Sequence, residues 1–74
     1  MSRLPSLSWQ QVVRALERAG FVFDRQSGSH IVYYHPETNH TVVVPRHRTI
    51  KMGTLREILR EANLSREEFR KLLG

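Results

Sequence analysis

Apolar positions follow two different periods along the chain. Trp9, Val12, Val13, Leu16 and Ala19 recur at helical spacing and make one stripe, with Arg14, Glu17 and Arg18 largely off it. Ser8 and Gln11 have the spacing of a capping box, and Leu7 and Val12 that of a hydrophobic staple around it. Gly20 follows the stripe and is suited to end a helix, because it takes positive φ without a Cβ penalty. The pattern predicts a helix over residues 8–19.

Three strand-like runs come next. Residues 21–26 begin aromatic and β-branched, and Ser27-Gly28-Ser29 breaks them as a turn. Residues 30–35, His-Ile-Val-Tyr-Tyr-His, form the second run. Pro36-Glu37-Thr38-Asn39 has the composition of a hairpin connection. Residues 40–44 form the third run, closed by Pro45. The short connections predict an antiparallel meander.

Residues 46–52 read as a polar, basic loop. Gly53-Thr54 leads into a second helix, with Thr54 and Glu57 spaced as a capping box and Leu55, Ile58, Leu59 and Ala62 as the apolar side. Asn63 is suited to a left-handed stop. Ser65 and Glu68 repeat the capping-box spacing, and Phe69, Leu72 and Leu73 give a short last helix its apolar side. The order α-β-β-β-α-α predicts a small two-layer α+β domain, with a three-stranded antiparallel sheet covered on one face by the first two helices. The other face is left for water or a ligand.

Size narrows the function classes. A chain of 74 residues buries only roughly 60% of its unfolded surface, which leaves no room for a dinucleotide-binding unit or a large enclosed pocket. The sequence is read as one domain over residues 1–74, with a core at 8–64 and the short helix at 65–73. With no cysteine there is no disulfide framework and no thiolate metal site. No apolar run approaches the roughly 18 residues of a membrane span, and the first residues lack a signal-peptide pattern; a cytoplasmic protein without membrane contact is expected.

Charge changes the picture more. Twelve Lys and Arg stand against seven Asp and Glu, a net +5, and ten of the twelve are arginine. A small basic domain attracts polyanions, of which RNA is the abundant cytosolic one, and arginine meets phosphate with a fork that lysine lacks. Arg46, His47, Arg48 and Lys51 cluster just before a helix whose amino end, at Gly53-Thr54, favours anions. A charge run of this kind is commonly just a solvated loop. Its place between a strand end and a helix start favours phosphate binding.

If Ile31 and Tyr33 point at the helices, His30 and Tyr34 point away from them. A single register slip exchanges every assignment. Gly28 lets a backbone approach phosphate closely, and Ser29 brings a hydroxyl and an amide. RNA carries its own nucleophile in the 2′-hydroxyl. Cleavage therefore needs a group to move protons and cations to stabilise the phosphorane, and His30 with arginines supplies both without metal or cofactor. Against this, a histidine at a strand start is usually only a tolerated polar residue, and His35 and His40 flank a hairpin where solvated histidines are common. The four histidines match no structural zinc spacing. Trp9 reads as an anchor of the first helix rather than a ligand contact.

Gly28-Ser29-His30, Tyr33 and His35-Pro36 resemble the second strand of the HicA-like (YcfA-type) toxin family. Val44-Pro45-Arg46-His47 and Gly53-Thr54-Leu55-Arg56-Glu57-Ile58-Leu59 resemble that family's third strand, loop and second helix, and Gly20-Phe21 fits its glycine–aromatic step. The resemblance covers about residues 8–64. It implies a fold like a double-stranded-RNA-binding domain, mRNA interferase activity within a toxin–antitoxin pair, and His30 as the residue on which activity depends. It also implies a HicB-like antitoxin that covers His30, and for His47 an RNA contact or loop support. Asn63 stands where many relatives have glycine, and Ile31 and Tyr34 make the second strand more apolar than usual.

The expected function is thus an mRNA-cleaving toxin. His30 acts as general base or general acid, and Gly28, Ser29, Arg46, His47, Arg48, Lys51 and Thr54 contact RNA. The alternative is a non-catalytic RNA-binding module of the same fold. A third reading gives the uncovered sheet face to an acidic protein partner, without RNA.

Overall fold

The computed structural model describes residues 6–73. Its elements are α1 (Trp9–Arg18), β1 (Val22–Ser27), β2 (His30–Tyr34), β3 (Thr41–Pro45), α2 (Met52–Ala62) and α3 (Arg66–Leu72). The protein is α+β in the order α-β-β-β-α-α, as the hydrophobic pattern predicts.

Local chemistry sets the ends of the helices. The capping box at the start of α1 is formed: the Ser8 side chain accepts from the Gln11 amide while the Gln11 side chain accepts from the Ser8 amide. Leu7 and Val12, the staple pair, are both buried. At the other end Gly20 has φ 103°. Its amide donates to the Glu17 carbonyl and the Phe21 amide to the Leu16 carbonyl, both at 3.0 Å. This paired closure satisfies carbonyls that a helix end leaves free. It also explains why β1 starts at Val22 and not at residue 21: Phe21 is used to close the helix and is buried. Ser65 and Glu68 form the second capping box, at the start of α3. Asn63, with φ 57°, ends α2 in the left-handed conformation.

The expected box of Thr54 and Glu57 is not formed. The N-cap of α2 is Lys51, whose side chain makes no capping hydrogen bond, and the helix starts at Met52. Met52 therefore leaves the loop for the helix, and Thr54 sits half-buried inside the first turn. The Lys51 carbonyl already accepts from the Leu55 amide at 2.9 Å, so helical bonding begins three residues before Thr54 could cap it.

The strands form one antiparallel sheet in the order β1-β2-β3. Ile31 pairs with Val44, and Tyr33 with Val42. These four residues join Val12, Leu16, Leu55, Ile58 and Phe69 in the core beneath the helices. The opposite face carries, by register, Val22, Arg25 and Ser27 of β1, His30, Val32 and Tyr34 of β2, and Thr41, Val43 and Pro45 of β3. A β-bulge at Asp24 lets β1 change its pairing between Phe23 and Arg25. The third run, apolar at three successive positions, is thereby assigned: Val42 and Val44 go to the core, and Val43 to the outer face. Phe69 is fully buried and holds α3 on the core. The Arg18 guanidinium donates to the Leu72 carbonyl at 2.6 Å, tying α1 to the carboxyl end of α3.

Candidate nucleic-acid interface

The site begins at the β1–β2 turn. Ser27 pairs with His30, leaving Gly28 and Ser29 as a two-residue connection. Gly28 has φ 59°, and a Cβ built on it meets nothing within 4 Å. Glycine is needed there for its backbone angle, while the space beside it stays open for close approach by a ligand. The Gln26 side-chain amide donates to the Gly28 carbonyl at 3.2 Å and braces the turn. Gly28, Ser29 and His30 are all exposed.

His30 opens β2 on the outer face and pairs with Pro45 of β3. Across that pair the basic loop begins. The Arg46 amide donates to the Ser29 carbonyl at 2.7 Å, and the His47 amide to the Pro45 carbonyl at 2.8 Å. The loop is then held against α1: the His47 carbonyl accepts from the Trp9 amide at 3.2 Å, and the Ile50 amide donates to the Leu7 carbonyl at 2.7 Å. The turn, the end of β3 and the amino end of α1 thus meet at one corner. Ser29, His30, Arg46 and His47 are brought together there by backbone bonds between elements far apart in sequence.

Arg48 and Lys51 lie further along, on either side of the Ile50–Leu7 bridge, and both are exposed. Among the described residues, no ion pair joins Arg46, Arg48 or Lys51 to a carboxylate. No acidic residue stands in the first turn of α1 or of α2. The corner therefore combines unneutralised cations with two helix amino ends, both of which attract anions. Of the residues expected to contact RNA, Thr54 is only partly exposed, inside the first turn of α2. Among the described residues, no three His, Cys, Asp or Glu side chains gather as a metal-binding group.

One participant was not singled out from sequence. The Arg46 guanidinium lies over the Trp9 ring, 5.0 Å from its centroid. Trp9 does anchor α1 to the core, being half-buried against it. It also sets the place of Arg46. No sequence rule pairs residues 37 positions apart, so only a cationic side chain near the end of β3 hinted at this contact.

His35 has a different task. Its Nε2 faces the Ala19 carbonyl at 3.2 Å, and its Nδ1 accepts from the Glu37 amide at 3.2 Å. The ring packs edge-on against Phe21, with centroids 5.1 Å apart. It is a structural histidine that closes the end of α1.

Residues 9–64 match a family model, the HicA toxin of bacterial toxin-antitoxin. The chain belongs to the HicA toxin family. No curated protein matches it closely enough to count as a relative. Membership puts the chain on the toxin side of a toxin–antitoxin pair, with an antitoxin as the general class of partner. The match takes in the β1–β2 turn, the basic loop and α2, so Trp9, Ser29, His30, Arg46 and His47 all lie within the family's span. Among the described residues, no helix is long and apolar enough to cross a membrane.

Proposed function

We propose that this HicA-family chain is an endoribonuclease toxin that cleaves mRNA without a metal or cofactor, with His30 moving the proton. The observation that carries this reading is the position of His30. It is exposed on the sheet face away from the helices, one residue from Ser29, whose carbonyl holds the amide of Arg46. A phosphodiester at this corner meets the open side of Gly28, the Ser29 hydroxyl and the Arg46 and Arg48 guanidinium groups, with Lys51 further along the backbone.

In the reaction the 2′-hydroxyl oxygen attacks phosphorus and the bond to the departing oxygen breaks. The 2′ proton must go to a base, and the departing oxygen must gain one from an acid. His30 serves one of these steps. The arginines offset the extra negative charge on the phosphorane. His47 contacts RNA or supports the loop through its carbonyl bond to Trp9. The outer face around Val22, Tyr34 and Val43, which stay at least partly exposed, serves as the seat of a HicB-like antitoxin. Such a partner masks His30 by covering the strand that bears it.

The test is RNA cleavage by the parent and His30→Ala proteins. Loss of a proton-transfer group lowers the rate by about 10²- to 10⁴-fold, while binding of the same RNA persists. Undiminished cleavage by His30→Ala removes His30 from the chemistry. RNA binding without new RNA ends in the parent selects the alternative, a non-catalytic RNA-binding module.

A further inference from the structure

The register of the sheet decides which cations share a face with His30. Pro45 lies beside His30 on the outer face, and the next side chain, Arg46, turns to the helix side over Trp9. Among the described strand residues, Arg25 is the only arginine or lysine, and it stands on the outer face.

Arg25 is there because of the bulge. Phe23 pairs with Tyr33 on the helix side, and strict alternation from it would return Arg25 to that side as well. The extra residue, Asp24, resets the alternation and sets Arg25 opposite Val32 on the outer face. Bulges beside active sites re-aim side chains in this way. Ser27 is directly opposite His30, and Arg25 is two residues from Ser27 on the same face. Arg25 and His30 are thus diagonal cross-strand neighbours, about 7–8 Å apart, a separation within the reach of long side chains.

Val32 lies between them. It is 6% exposed, yet it is not part of the core beneath the helices. Its neighbours on the outer face are Arg25 and Val43 across the strands, and His30 and Tyr34 along β2. Side chains of this ring cover it, and Arg25 and His30 are adjacent members of the ring. The Arg25 side chain is itself 67% exposed, and its Nη1 donates to Oδ2 of Asp24 at 2.6 Å. Among the described residues this is the one side-chain hydrogen bond of Arg25. An exposed pair of this kind holds its members weakly, so the guanidinium fork can take a phosphate.

We propose that Arg25 is a catalytic residue of this toxin, which grips the phosphate seated at His30 from the β1 side and offsets the charge of the phosphorane. The proposal rests on the RNA-cleaving reading above and adds a residue to that site. Arg25 moves no proton, since a guanidinium keeps its charge throughout. When the 2′ oxygen adds to phosphorus, negative charge builds on the phosphoryl oxygens. A cation placed there acts more strongly on the transition state than on the bound strand. Lysine in place of Arg25 keeps the charge but loses the fork.

The experiment uses the full chain and a labelled mRNA transcript, with protein in excess so that each trace gives a single-turnover rate. Rates over a range of protein concentrations separate the saturated rate from the half-saturating concentration. The same transcript with 2′-O-methyl riboses cannot react and reports binding alone. The parent is compared with Arg25→Ala, Arg25→Lys, His30→Ala and, as a charge control on α3, Arg70→Ala, each checked for native circular dichroism. The expected result for Arg25→Ala is a saturated rate about 10²- to 10³-fold lower, the usual loss for one charge-stabilising donor, while affinity for the methylated strand falls far less. Arg25→Lys should regain part of the rate. If Arg25→Ala loses no more than Arg70→Ala, or if its whole loss is weaker binding, Arg25 is not catalytic and the His30 reading stands. If the parent leaves the transcript intact, or His30→Ala cuts it as fast as the parent, both readings fall. Should Arg25→Ala not fold, Arg25→Gln takes its place in the same comparison.

Discussion

A Cβ atom placed on Gly20 would lie 2.7 Å from Nε2 of His35. The two residues meet because the helix end and the β2–β3 hairpin close on each other: Nε2 sits over the carbonyl of Ala19, the C-cap residue of α1 before the glycine. Gly20 is thus required twice, for its φ of 103° and for the space that the imidazole fills. Gly20→Ala is expected to lower stability by roughly 1–3 kcal/mol, which for a domain of this size is roughly 4–8 °C in Tm per kcal/mol. The double variant Gly20→Ala, His35→Ala should recover part of that loss, because the clash goes while the backbone strain stays. Urea unfolding of the three proteins checks this. A Gly20→Ala protein as stable as the parent would show that the two residues do not meet.

Gly28 supplies the contrast. Its φ is also positive, at 59°, but nothing lies within 4 Å of an added Cβ. Gly28→Ala carries only the left-handed penalty, about 1–2 kcal/mol, and should be milder than Gly20→Ala in the same unfolding series. The reverse order would contradict the open surroundings of the turn.

Tyr33 makes the fold sensitive to alkali. Its hydroxyl donates to a Glu17 carboxylate oxygen at 3.1 Å. Burial first, and then the charge of Glu17 and this hydrogen bond, push its pKa up to about 12. The folded state therefore favours the neutral phenol. That contribution is complete below the unfolded value of about 10 and is lost as the pH rises from there through about 12. Tyr33→Phe should remove this part of the pH dependence, at a cost near neutral pH of about 0.5–1.5 kcal/mol for the hydrogen bond. Thermal melts of both proteins between neutral and strongly alkaline pH compare the slopes. Parallel curves would deny Tyr33 this role.

Glu61 protects the open edge of the sheet. β3 is an edge strand, and the outward amide of Val43 donates to Oε1 of Glu61 on α2 at 3.1 Å. Satisfying an edge amide in this way makes the strand a poorer template for another chain. Glu61→Ala should speed hydrogen exchange at the Val43 amide by roughly 5-fold, the equivalent of about 1 kcal/mol. Glu61→Gln, which keeps an acceptor oxygen, should change it less. Amide exchange followed by NMR decides, with amides inside the sheet as the internal reference.

The chain's own pattern determined the elements, because each rested on interactions a few residues apart. Ser8 with Gln11 and Ser65 with Glu68 are three apart, and Asn63 and Gly20 act through their own backbone angles. The exception is instructive. Thr54 and Glu57 have the right spacing, yet α2 begins earlier, at Met52. Ile50, buried and paired with Leu7, fixes where the loop ends and so where the helix can start. Local spacing describes a possible cap; a contact with a distant residue decides whether it is used.

The same division holds for the site. His30 and the cations after β3 could be named from residue chemistry, and the period of two in β2 put His30 opposite Ile31 and Tyr33. Which way the three successive valines of β3 faced was open until pairing with β2 fixed it, since an all-apolar run has no alternation to read. The meeting of Arg46 with Ser29 and of Trp9 with Arg46 spans separations that no periodicity covers. Those contacts exist because antiparallel pairing sets the end of β3 beside the start of β2, and because the loop after it must return to the amino end of α1 to bury Ile50. Residue types and short spacings settled what chemistry the chain carries; where that chemistry converges was decided by long-range pairing and burial.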